Sequence, residues 1–398
     1  MTTPDSTTAA ETAGPLKGVR ILDLSHVLNG PFATMLLAHM GAEVIKVEQQ
    51  ESPDRFRHAW MPVDADHDGY ESLVVNANKK CVTLNLKNEK GREVFLDLVA
   101  KADVIVENFS TGVMDRLGFG YEALRAHNPR LIYASSKGYG ESGPYAGLRS
   151  FATVAMAMSG WADASWKLSG APGTQVFGPG DEAAGVSMAL GICAALFSRE
   201  QTGQGQKIEV SMQEALMGFM VSAFHEHFEG MGPAGAYMEA KDGHVATHLP
   251  DLSDDLFRKY STALGHAEAI DDSRFATVGT RRENLKLLQA TVAGWMKKFT
   301  ARELFDILRA QQVPAGAVLS IDQVLEDEHI VAREAFVNVE HEEAGKLTLL
   351  APWIRFSETP AAITHAGPAV GEHSDEVYRE LLGYDAATLA ELRADGAI

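Results

Sequence analysis

The chain has 398 residues, of which 45% are hydrophobic and 22% charged, and its 35 Lys and Arg against 54 Asp and Glu give a formal net charge of −19. This length and composition exclude a disordered chain and a small disulfide scaffold, and they allow two or three globular domains. The acidic balance argues against a nucleic acid or a membrane as partner, because the phosphates of both attract basic surfaces. A small anionic ligand is still compatible with it, since a local cluster of cations can bind one.

The cysteines and the apolar runs bear on the compartment. Cys81 and Cys193 lie far apart and outside any metal-binding or redox spacing, so we expect a reducing, cytoplasmic location. The first fifteen residues have neither the basic nor the apolar part of a signal peptide, and we expect a frayed tail. The longest apolar run, Ala183 to Phe197, is shorter than the ~20 residues of a membrane span, so no transmembrane segment is expected.

From Lys17 onward, short β-branched runs alternate with helical periodicity, a pattern typical of parallel βαβ units. The first predicted helix has Pro31 in its first turn and Gly41 at its end. A second covers Glu89 to Lys101. The predicted strands are Val19–Ser25, Glu43–Glu48, Val82–Leu86, Val104–Phe109 and Leu131–Tyr139. The pattern favours an α/β fold with a Rossmann-like, mostly parallel sheet, which binds ligands beyond the carboxyl ends of its strands.

The second half of the chain begins with a long helix after Asp181, a strand over Gln206–Met212 and a helix to about Glu229. The Gly- and Pro-rich segment from Gly230 to Gly235 is the best candidate for a domain boundary. A smaller α+β domain is expected after it, followed by a hairpin and two terminal helices. In detail, we predict a strand around Val245, helices over Arg282–Phe299 and Ala301–Gln311, a helical stretch after Pro314, and a hairpin over Phe336–Arg355.

Two motifs that invite a function are better explained without one. Gly138 to Gly143 spells G-x-G-x-x-G after a predicted strand, but no helix follows to present its amides to a pyrophosphate, so a plain loop is predicted. His225 and His227 are two residues apart and would lie on different faces of a helix, which argues against a shared metal ion.

Asp181 is the most informative single residue. It follows Gly178, Pro179 and Gly180, which leave little side-chain bulk around its carboxylate. It also lies at or near the N-cap of the predicted long helix. One interpretation is a capping aspartate that accepts a backbone N–H. The other is a carboxylate nucleophile, with small neighbours that let a thioester approach and helix amides that stabilise an oxyanion. The residues alone do not choose between the two.

From about Pro15 the chain resembles the family III CoA-transferases, the superfamily of formyl-CoA:oxalate transferase, carnitine CoA-transferase and α-methylacyl-CoA racemase. The order and spacing of short matches carry the resemblance. They are Leu16–Ser25, Gly41–Glu48, Asn78–Lys80, Asp103–Phe109, Gly180–Asp181, Gly191–Ile192, Ala194–Leu196, Thr202–Gln206, Val313–Gly316 and Gly371–Asp375.

The resemblance implies a large Rossmann-like domain built from both ends of the chain, residues 16–229 and 321–398, around a smaller domain at about 230–320. It further implies a homodimer in which two subunits thread through each other as linked rings. Asp181 would be the nucleophile. Attack on an acyl-CoA donor would give a mixed anhydride, then a β-aspartyl-CoA thioester, from which an organic acid accepts CoA. CoA and acyl-CoA are then substrates, and no permanently bound cofactor is expected.

The same resemblance implies a set of CoA contacts. By motif they are His26, Val27, Asn29, Leu84, Lys87, Asn108, Phe109 and Arg116, with Arg149 at the position of a family lysine. Local positive charge for the phosphates of CoA is expected from Lys79, Lys80, Lys87, Arg116, Lys137 and Arg149. Any one of these cations could equally be a solvated surface residue.

Departures from the family bear on the substrate. Oxalate-type members have a glutamine at Leu28, a tyrosine-glutamate pair at Phe151 and Ala152, and a tetraglycine loop in the small domain. Formyl-CoA:oxalate exchange is therefore disfavoured, and a less polar acceptor pocket is favoured. Residues Gly143 to Met158 contain no histidine, which disfavours racemization. The open alternatives are an acyl-CoA epimerase, racemase or lyase of this superfamily, and a CoA-binding protein without catalysis.

Overall fold

The structure, a computed structural model, describes residues 14–58, 68–169, 179–224, 235–248 and 253–398. The chain divides into two compact units. One contains Met1–Val221 together with Glu334–Ile398, and the other is Ser222–Arg333. The first unit is therefore built from both ends of the chain around an inserted second unit.

A six-stranded parallel sheet forms the centre of the first unit. Its strands are β1 (Arg20–Asp23), β2 (Glu43–Glu48), β3 (Lys79–Thr83), β4 (Val104–Glu107), β5 (Ile132–Lys137) and β6 (Lys207–Ser211). Their spatial order is β3-β2-β1-β4-β5-β6, and all five neighbouring pairs are parallel. This is the strand order of a doubly wound Rossmann sheet, in which β1 and β4 flank the point where the winding reverses. The predicted α/β class and parallel sheet are confirmed.

Helices cover both faces of this sheet because its strands are apolar on both sides. The helices before the insertion are α1 (Asn29–His39), α2 (Tyr70–Val75), α3 (Glu89–Lys101), α4 (Val113–Arg116), α5 (Tyr121–His127), α6 (Ala152–Met158), α7 (Trp161–Ser169), α8 (Gly180–Thr202) and α9 (Met212–Phe219). Alternate residues of the strands feed two cores: Leu22 and Ile45 pack with α3 on one face, and Ile21 and Val44 pack with α1 and α8 on the other.

Strand β3 differs from the prediction. The apolar letters predict Val82–Leu86, but the strand begins at Lys79 and ends at Thr83. Lys79 is fully buried inside the sheet, where its ammonium group meets the Asp23 carboxylate at 3.0 Å. A buried lysine with a buried partner does not register in an apolar pattern, so the start of the strand was missed.

The residues after the insertion complete the first unit. Strands β10 (Phe336–His341) and β11 (Gly345–Leu350) form an antiparallel hairpin, and α16 (Ser374–Leu382) and α17 (Ala386–Ala394) end the chain. The Tyr378 hydroxyl on α16 donates to the Thr83 carbonyl at 2.7 Å, and the His373 amide donates to the Cys81 carbonyl at 2.9 Å. The C-terminal helices are thereby fixed beside β3.

The inserted unit has a three-stranded antiparallel sheet, β7 (Gly235–Glu239), β8 (His244–His248) and β9 (Ala315–Ala317). Its helices are α10 (Asp254–Ala263), α11 (Val278–Glu283), α12 (Leu285–Met296), α13 (Ala301–Ala310), α14 (Ile321–Glu326) and α15 (Glu328–Ala332). Only the β8 strand was predicted. β7 begins in a Gly-rich segment and β9 has three residues, so neither gives a periodic signal. Helices α14 and α15 belong to this unit, which ends at Arg333 rather than near residue 320.

Helix α8 is long and apolar enough to cross a membrane by length and composition alone. Half of its apolar window is buried inside the protein, where Met188, Ala189 and Ile192 pack in one core with α1. A buried helix in the core of a globular unit can have the same length and composition, so these two properties are weak evidence for a membrane span.

Candidate active site

A cavity of ≈ 340 Å³ opens at the carboxyl edge of the parallel sheet. It is lined by residues that follow β1, β4 and β5, the edge at which a doubly wound sheet binds its ligands. The structure brings most of the predicted site residues together here, namely His26, Val27, Asn29, Asn108, Phe109, Lys137, Arg149 and Asp181. They come from four separate segments of the chain, so their convergence is a property of the fold.

Asp181 lies in the first turn of α8 and does not cap it. The helix begins at Gly180, the N-cap residue is Pro179, and no side chain accepts a capping hydrogen bond there. The capping interpretation of Asp181 is therefore wrong. Gly180 allows the close approach of α6 to this turn, because a Cβ at that position would lie 3.0 Å from the Ala152 Cα. Asp181 lines the cavity, and its carboxylate is not used as a helix cap.

The surroundings of Asp181 disfavour its charged form. Burial and, after it, the neighbouring Glu182 carboxyl raise the pKa of this carboxyl, a hydrogen bond from Asn29 opposes both, and together they bring it from 3.8 to about 6. A carboxylate of higher pKa is a better nucleophile at neutral pH, where it is still mostly ionised. The first amides of α8 have no intrahelical acceptors, which places partial positive charge beside this carboxylate.

A chain of amide hydrogen bonds orients Asn29 toward Asp181. The Asn108 side chain donates to the Asn29 Oδ1 at 2.9 Å, so the Asn29 amide nitrogen is the group that faces the Asp181 carboxylate. Asn108 is itself fixed by two bonds to the His26 backbone, accepting from the amide at 2.8 Å and donating to the carbonyl at 2.7 Å. The end of β4 and the loop after β1 thus jointly orient the Asn29 side chain that contacts Asp181.

The loop after β1 has an unusual conformation that a buried carboxylate supports. Val27 has a φ of 65°, a region that β-branched residues rarely adopt. Its amide donates to both carboxylate oxygens of Asp54, at 3.1 and 3.0 Å. Asp54 is paired with the Lys46 ammonium at 3.3 Å, and that ammonium also donates to the Ser25 carbonyl at 2.9 Å. Asp54 was not predicted, since its contact with Val27 depends on tertiary structure.

Three of the predicted cations are already neutralised. Lys79 is buried and donates to Asp23 and to the Pro31 carbonyl, at 3.0 and 2.9 Å. Lys80 is paired with Glu43 and Glu376. Lys79, which is buried and paired, therefore has a structural role, whereas Lys80 is partly exposed and its assignment to the phosphates of CoA stays a prediction.

Lys137 lines the cavity, but its positive charge is also neutralised by a carboxylate of the protein. Its ammonium lies 2.7 Å from both carboxylate oxygens of Glu107 and donates to the Phe109 carbonyl at 2.7 Å. Only 8% of Lys137 is exposed, so a phosphate would have to break this pair to reach it. Its contribution is to hold Phe109 at the end of β4, where the Phe109 ring packs edge to face on His26 at 5.4 Å.

Two arginines supply the available positive charge. Arg149 lines the cavity as predicted, and Arg55, which was not predicted, lines it from the segment after β2. Both side chains are exposed, and within the described residues neither has an ion-pair partner. No pattern in the sequence singles out Arg55, because its place at the cavity depends on the fold.

The other predicted CoA contacts lie outside this cavity. Leu84 is 2% exposed and belongs to the core beside α3, so a CoA contact for its side chain is wrong. Lys87 and Arg116 are exposed on the surface and do not line the cavity. Their role stays a prediction for the outer part of a long ligand.

Two other site predictions concern loops and metals. The Gly138–Gly143 segment forms turns and bends, and α6 begins only at Ala152. His225 and His227 lie outside the described residues. Across residues 14–58, 68–169, 179–224, 235–248 and 253–398, no group of three or more His, Cys, Asp or Glu side chains is arranged to hold a metal ion.

Comparisons with known proteins agree with the fold. The family model of CoA-transferase family III matches residues 16–374. The formyl-CoA:oxalate CoA-transferase of Streptomyces coelicolor is 33% identical, with 97% of this chain and 100% of that protein covered, and the one from Bradyrhizobium sp. (strain ORS 278) is 32% identical, with 96% and 97% covered.

Among solved structures, Rv3272 from Mycobacterium tuberculosis has a TM-score of 0.80 at 28% identity, covering 91% of this chain and 98% of that one. A CAIB/BAIF family protein from Brucella suis has a TM-score of 0.78 at 30% identity, covering 92% and 99%.

Proposed function

The chain belongs to CoA-transferase family III, and we propose that it moves CoA from an acyl-CoA donor to an organic carboxylic acid with Asp181 as the nucleophile. The observation that carries the proposal is the Asp181 carboxyl itself. It lies beside a helix N-terminus, is not used as a cap, has a pKa raised by burial to about 6, and lines the cavity at the switch point of the sheet.

The first half of the reaction consumes the donor. An oxygen of the Asp181 carboxylate attacks the thioester carbonyl, and the C–S bond breaks to give an acyl-aspartyl anhydride and CoA thiolate. The thiolate then attacks the aspartyl carbonyl of this anhydride, which releases the donor acid and leaves a β-aspartyl-CoA thioester. The amides at the start of α8 are suited to the oxyanions of both steps.

The second half runs the same steps in reverse with the acceptor. The acceptor carboxylate attacks the aspartyl thioester and expels CoA thiolate, forming a new anhydride. The thiolate attacks the acyl carbonyl of that anhydride, which yields the acceptor's acyl-CoA and regenerates the Asp181 carboxylate. Asn29, oriented by Asn108, has the role of holding the carboxylate in one orientation throughout, because each step depends on the direction of attack.

We assign the CoA moiety to the cavity residues. The N-termini of α1 and α8 and the side chains of Arg55 and Arg149 supply positive potential for phosphate or carboxylate groups. His26 and Phe109 supply an aromatic wall, with the pKa of His26 lowered by burial and by the Lys46 ammonium. A polyanion can thus bind a protein of net charge −19 through local charge. The expected homodimer and the cytoplasmic location stay part of this proposal.

The test is direct detection of the thioester on Asp181. Enzyme incubated separately with formyl-, acetyl-, succinyl- and hexanoyl-CoA is analysed by intact and peptide mass spectrometry, with hydroxylamine and borohydride trapping. A CoA adduct on the peptide that contains Asp181 is expected with at least one donor. Asp181→Ala should form no adduct and lose at least about 10³-fold in exchange rate. Turnover by that variant at the wild-type rate would exclude the mechanism.

The alternatives give different products. An epimerase or racemase would incorporate deuterium at the α-carbon of an acyl-CoA without any acceptor acid. A CoA-binding protein without catalysis would bind CoA and form neither adduct nor exchange product. The same incubations, repeated in deuterated water, distinguish all three.

A further inference from the structure

A second cavity, of ≈ 370 Å³, lies beside the first and differs from it in chemistry. Its walls are mostly aliphatic and aromatic side chains, among them Phe32, Val75, Trp353 and Ile363. The Phe32 and Trp353 rings stack with their centroids 6.2 Å apart. Both its volume and its apolar lining are typical of a site for the hydrocarbon part of a small ligand.

This apolar pocket adjoins the nucleophile. Leu28 lines both cavities, and Glu182, the residue after Asp181, lines the apolar one. The first turns of α8 are packed directly on α1 at this point, since a Cβ on Gly185 would lie 2.8 Å from the Asn29 carbonyl and 2.9 Å from the Phe32 ring. A group bonded to Asp181 therefore lies in a cavity that shares the Leu28 wall with the apolar pocket.

The apolar pocket also contains polar atoms that lack partners. The Oε2 of Glu182 and both ring nitrogens of His39 are buried, and within the described residues none has a hydrogen-bond partner. Burial and the nearby Glu71 raise the pKa of Glu182, while burial and then Lys79 lower the pKa of His39 to about 4. Because a hydrocarbon tail would leave these atoms without partners, its gain in free energy must come from the aliphatic and aromatic lining and not from this part of the pocket.

The two carboxyl groups also limit what the occupant can be. Glu71 and Glu182 both line the pocket, and nothing in its lining except the neutral His39 could oppose a second negative charge. A short dicarboxylate would place its free carboxylate among apolar walls and beside these acids, where desolvation and like charge both oppose it. An apolar tail meets no such penalty and gains from burial.

We propose that the apolar pocket receives the hydrocarbon tail of the acid that exchanges CoA at Asp181, and that this acid is a monocarboxylate with about four to ten carbon atoms. The upper size follows from the cavity volume, because a water-sized group occupies about 30 Å³. The Leu28 side chain lies in the wall that the two cavities share, and its size limits which acids reach the apolar pocket. This inference rests on the proposed function and adds the class of acid.

The experiment measures acid selectivity in variants that fill the pocket. Exchange from acetyl-CoA is assayed with isotopically labelled acetate, hexanoate, 3-phenylpropionate and oxalate as acceptors. The wild type should favour hexanoate or 3-phenylpropionate over oxalate at least tenfold in kcat/KM. Val74→Phe and Ile363→Trp, both at half-buried lining positions, should lower that preference at least tenfold. Their yield of β-aspartyl-CoA from acetyl-CoA is measured in parallel, which distinguishes a changed acid preference from a damaged nucleophile.

Two further variants keep the result interpretable. Val331→Phe adds the same bulk at a 60% exposed position in the Ser222–Arg333 unit and should change no preference. Trp353→Ala removes a 49% exposed ring from the pocket wall, so it should fold normally and shift the preferred chain from hexanoate toward decanoate.

The possible failures are separate. If no donor gives an Asp181 adduct, the proposed function fails. If adduct and exchange are present but oxalate is the best acceptor, or the filling variants leave the acid preference unchanged, only the apolar-pocket proposal fails. It fails equally if those variants alter the sedimentation of the protein and not its selectivity, because the pocket would then be covered by a second copy of the chain.

Discussion

The two walls of the Asp181 cavity differ in how they are held. One, the fixed wall, is the segment Ser25–Asn29, whose backbone is hydrogen-bonded to the buried side chains of Asp54 and Lys46 and to the half-buried side chain of Asn108. The other, the open wall, is the segment 138–151, which carries exposed Leu148, Arg149 and Phe151. The comparison suggests a division of labour in which the fixed wall orients the nucleophile and the open wall meets the variable parts of the substrates.

The fixed wall continues into a buried network of charges. The Asp23 carboxylate accepts hydrogen bonds from the Lys79 ammonium at 3.0 Å and from the Thr34 hydroxyl at 2.6 Å, and the Glu48 carboxylate accepts from the Asp54 amide at 2.8 Å. Breaking a buried ion pair by removing one partner is costly, because the other charge stays uncompensated. Residues on the fixed wall should therefore respond to mutation far more strongly than those on the open wall.

The largest effect is expected for Asp54→Ala. This change removes the acceptor of the Val27 amide and leaves the Lys46 charge buried without its partner. We expect a loss of about 3–5 kcal/mol in the free energy of unfolding. We also expect a 10- to 100-fold lower kcat/KM for the acyl-CoA donor, because the loop that leads to Asn29 loses its support. Urea titration and steady-state kinetics on the folded fraction measure the two effects.

A double variant separates positioning from stability. Asp54→Leu with Lys46→Met replaces the ion pair by apolar side chains, which should recover most of the stability. The catalytic loss should persist, since the Val27 amide still lacks an acceptor. Full recovery of kcat/KM in the double variant would contradict a positioning role for Asp54.

The next effect concerns Asp181 and pH. Its pKa is raised by burial to about 6 in the folded protein, against 3.8 in the unfolded chain, so the charged form costs stability that grows as pH rises from about 4 to above 6. Asp181→Asn should therefore be more stable than wild type by about 1–2 kcal/mol at pH 8, allowing for partial exposure, and equal to it near pH 4.

Denaturation midpoints at pH 4, 6 and 8 provide the measurement, and Asp385 is a matched control. Its carboxylate caps α17 by accepting from the Thr388 amide at 2.8 Å, and the same bond lowers the Asp385 pKa. Asp385→Ala should therefore be less stable than wild type at pH 8. Equal stability of Asp181→Asn and wild type at pH 8 would show that the carboxylate is not destabilised by its surroundings.

The third effect tests the available cations on either side of the cavity. Arg55→Ala and Arg149→Ala should each raise the KM for acyl-CoA about 3- to 10-fold with little change in kcat, because each removes one exposed charge from a phosphate. The effect should shrink as salt is raised from 0.05 to about 0.5 M. Arg130→Ala removes an exposed arginine before β5, at the opposite end of that strand from Lys137, and should leave the KM unchanged.

These contrasts also explain what the sequence could and could not predict. The bounds of β2 and α3 coincide with their predictions, because β2 is a short run rich in β-branched residues and the apolar residues of α3 recur with the period of a helix. The convergence of His26, Asn29, Asn108 and Asp181 followed from the resemblance to a family. No local pattern would have brought these three segments together.

What the sequence hid depends on contacts between distant residues. Lys79 and Lys137 look like ligands for phosphate when read singly, and only the fold shows that Asp23 and Glu107 neutralise them. Asp54 gives no signal because its partner is the backbone of Val27. The capping interpretation of Asp181 differed from the structure by a shift of two residues at the start of α8, and that shift decides whether the carboxylate is used as a cap.

The smallest effect is expected at the open wall. Phe151 is 63% exposed and precedes α6, so Phe151→Ala should change the free energy of unfolding by less than about 0.5 kcal/mol and the KM for acyl-CoA by less than twofold. Its ring lines the Asp181 cavity, however, so the ratio of kcat/KM between 3-phenylpropionate and acetate should fall. Exchange assays with both acids measure that ratio. A loss of stability as large as that of Asp54→Ala would mean that the open wall is fixed as well, and the proposed division, in which the fixed wall alone orients the nucleophile, would fail.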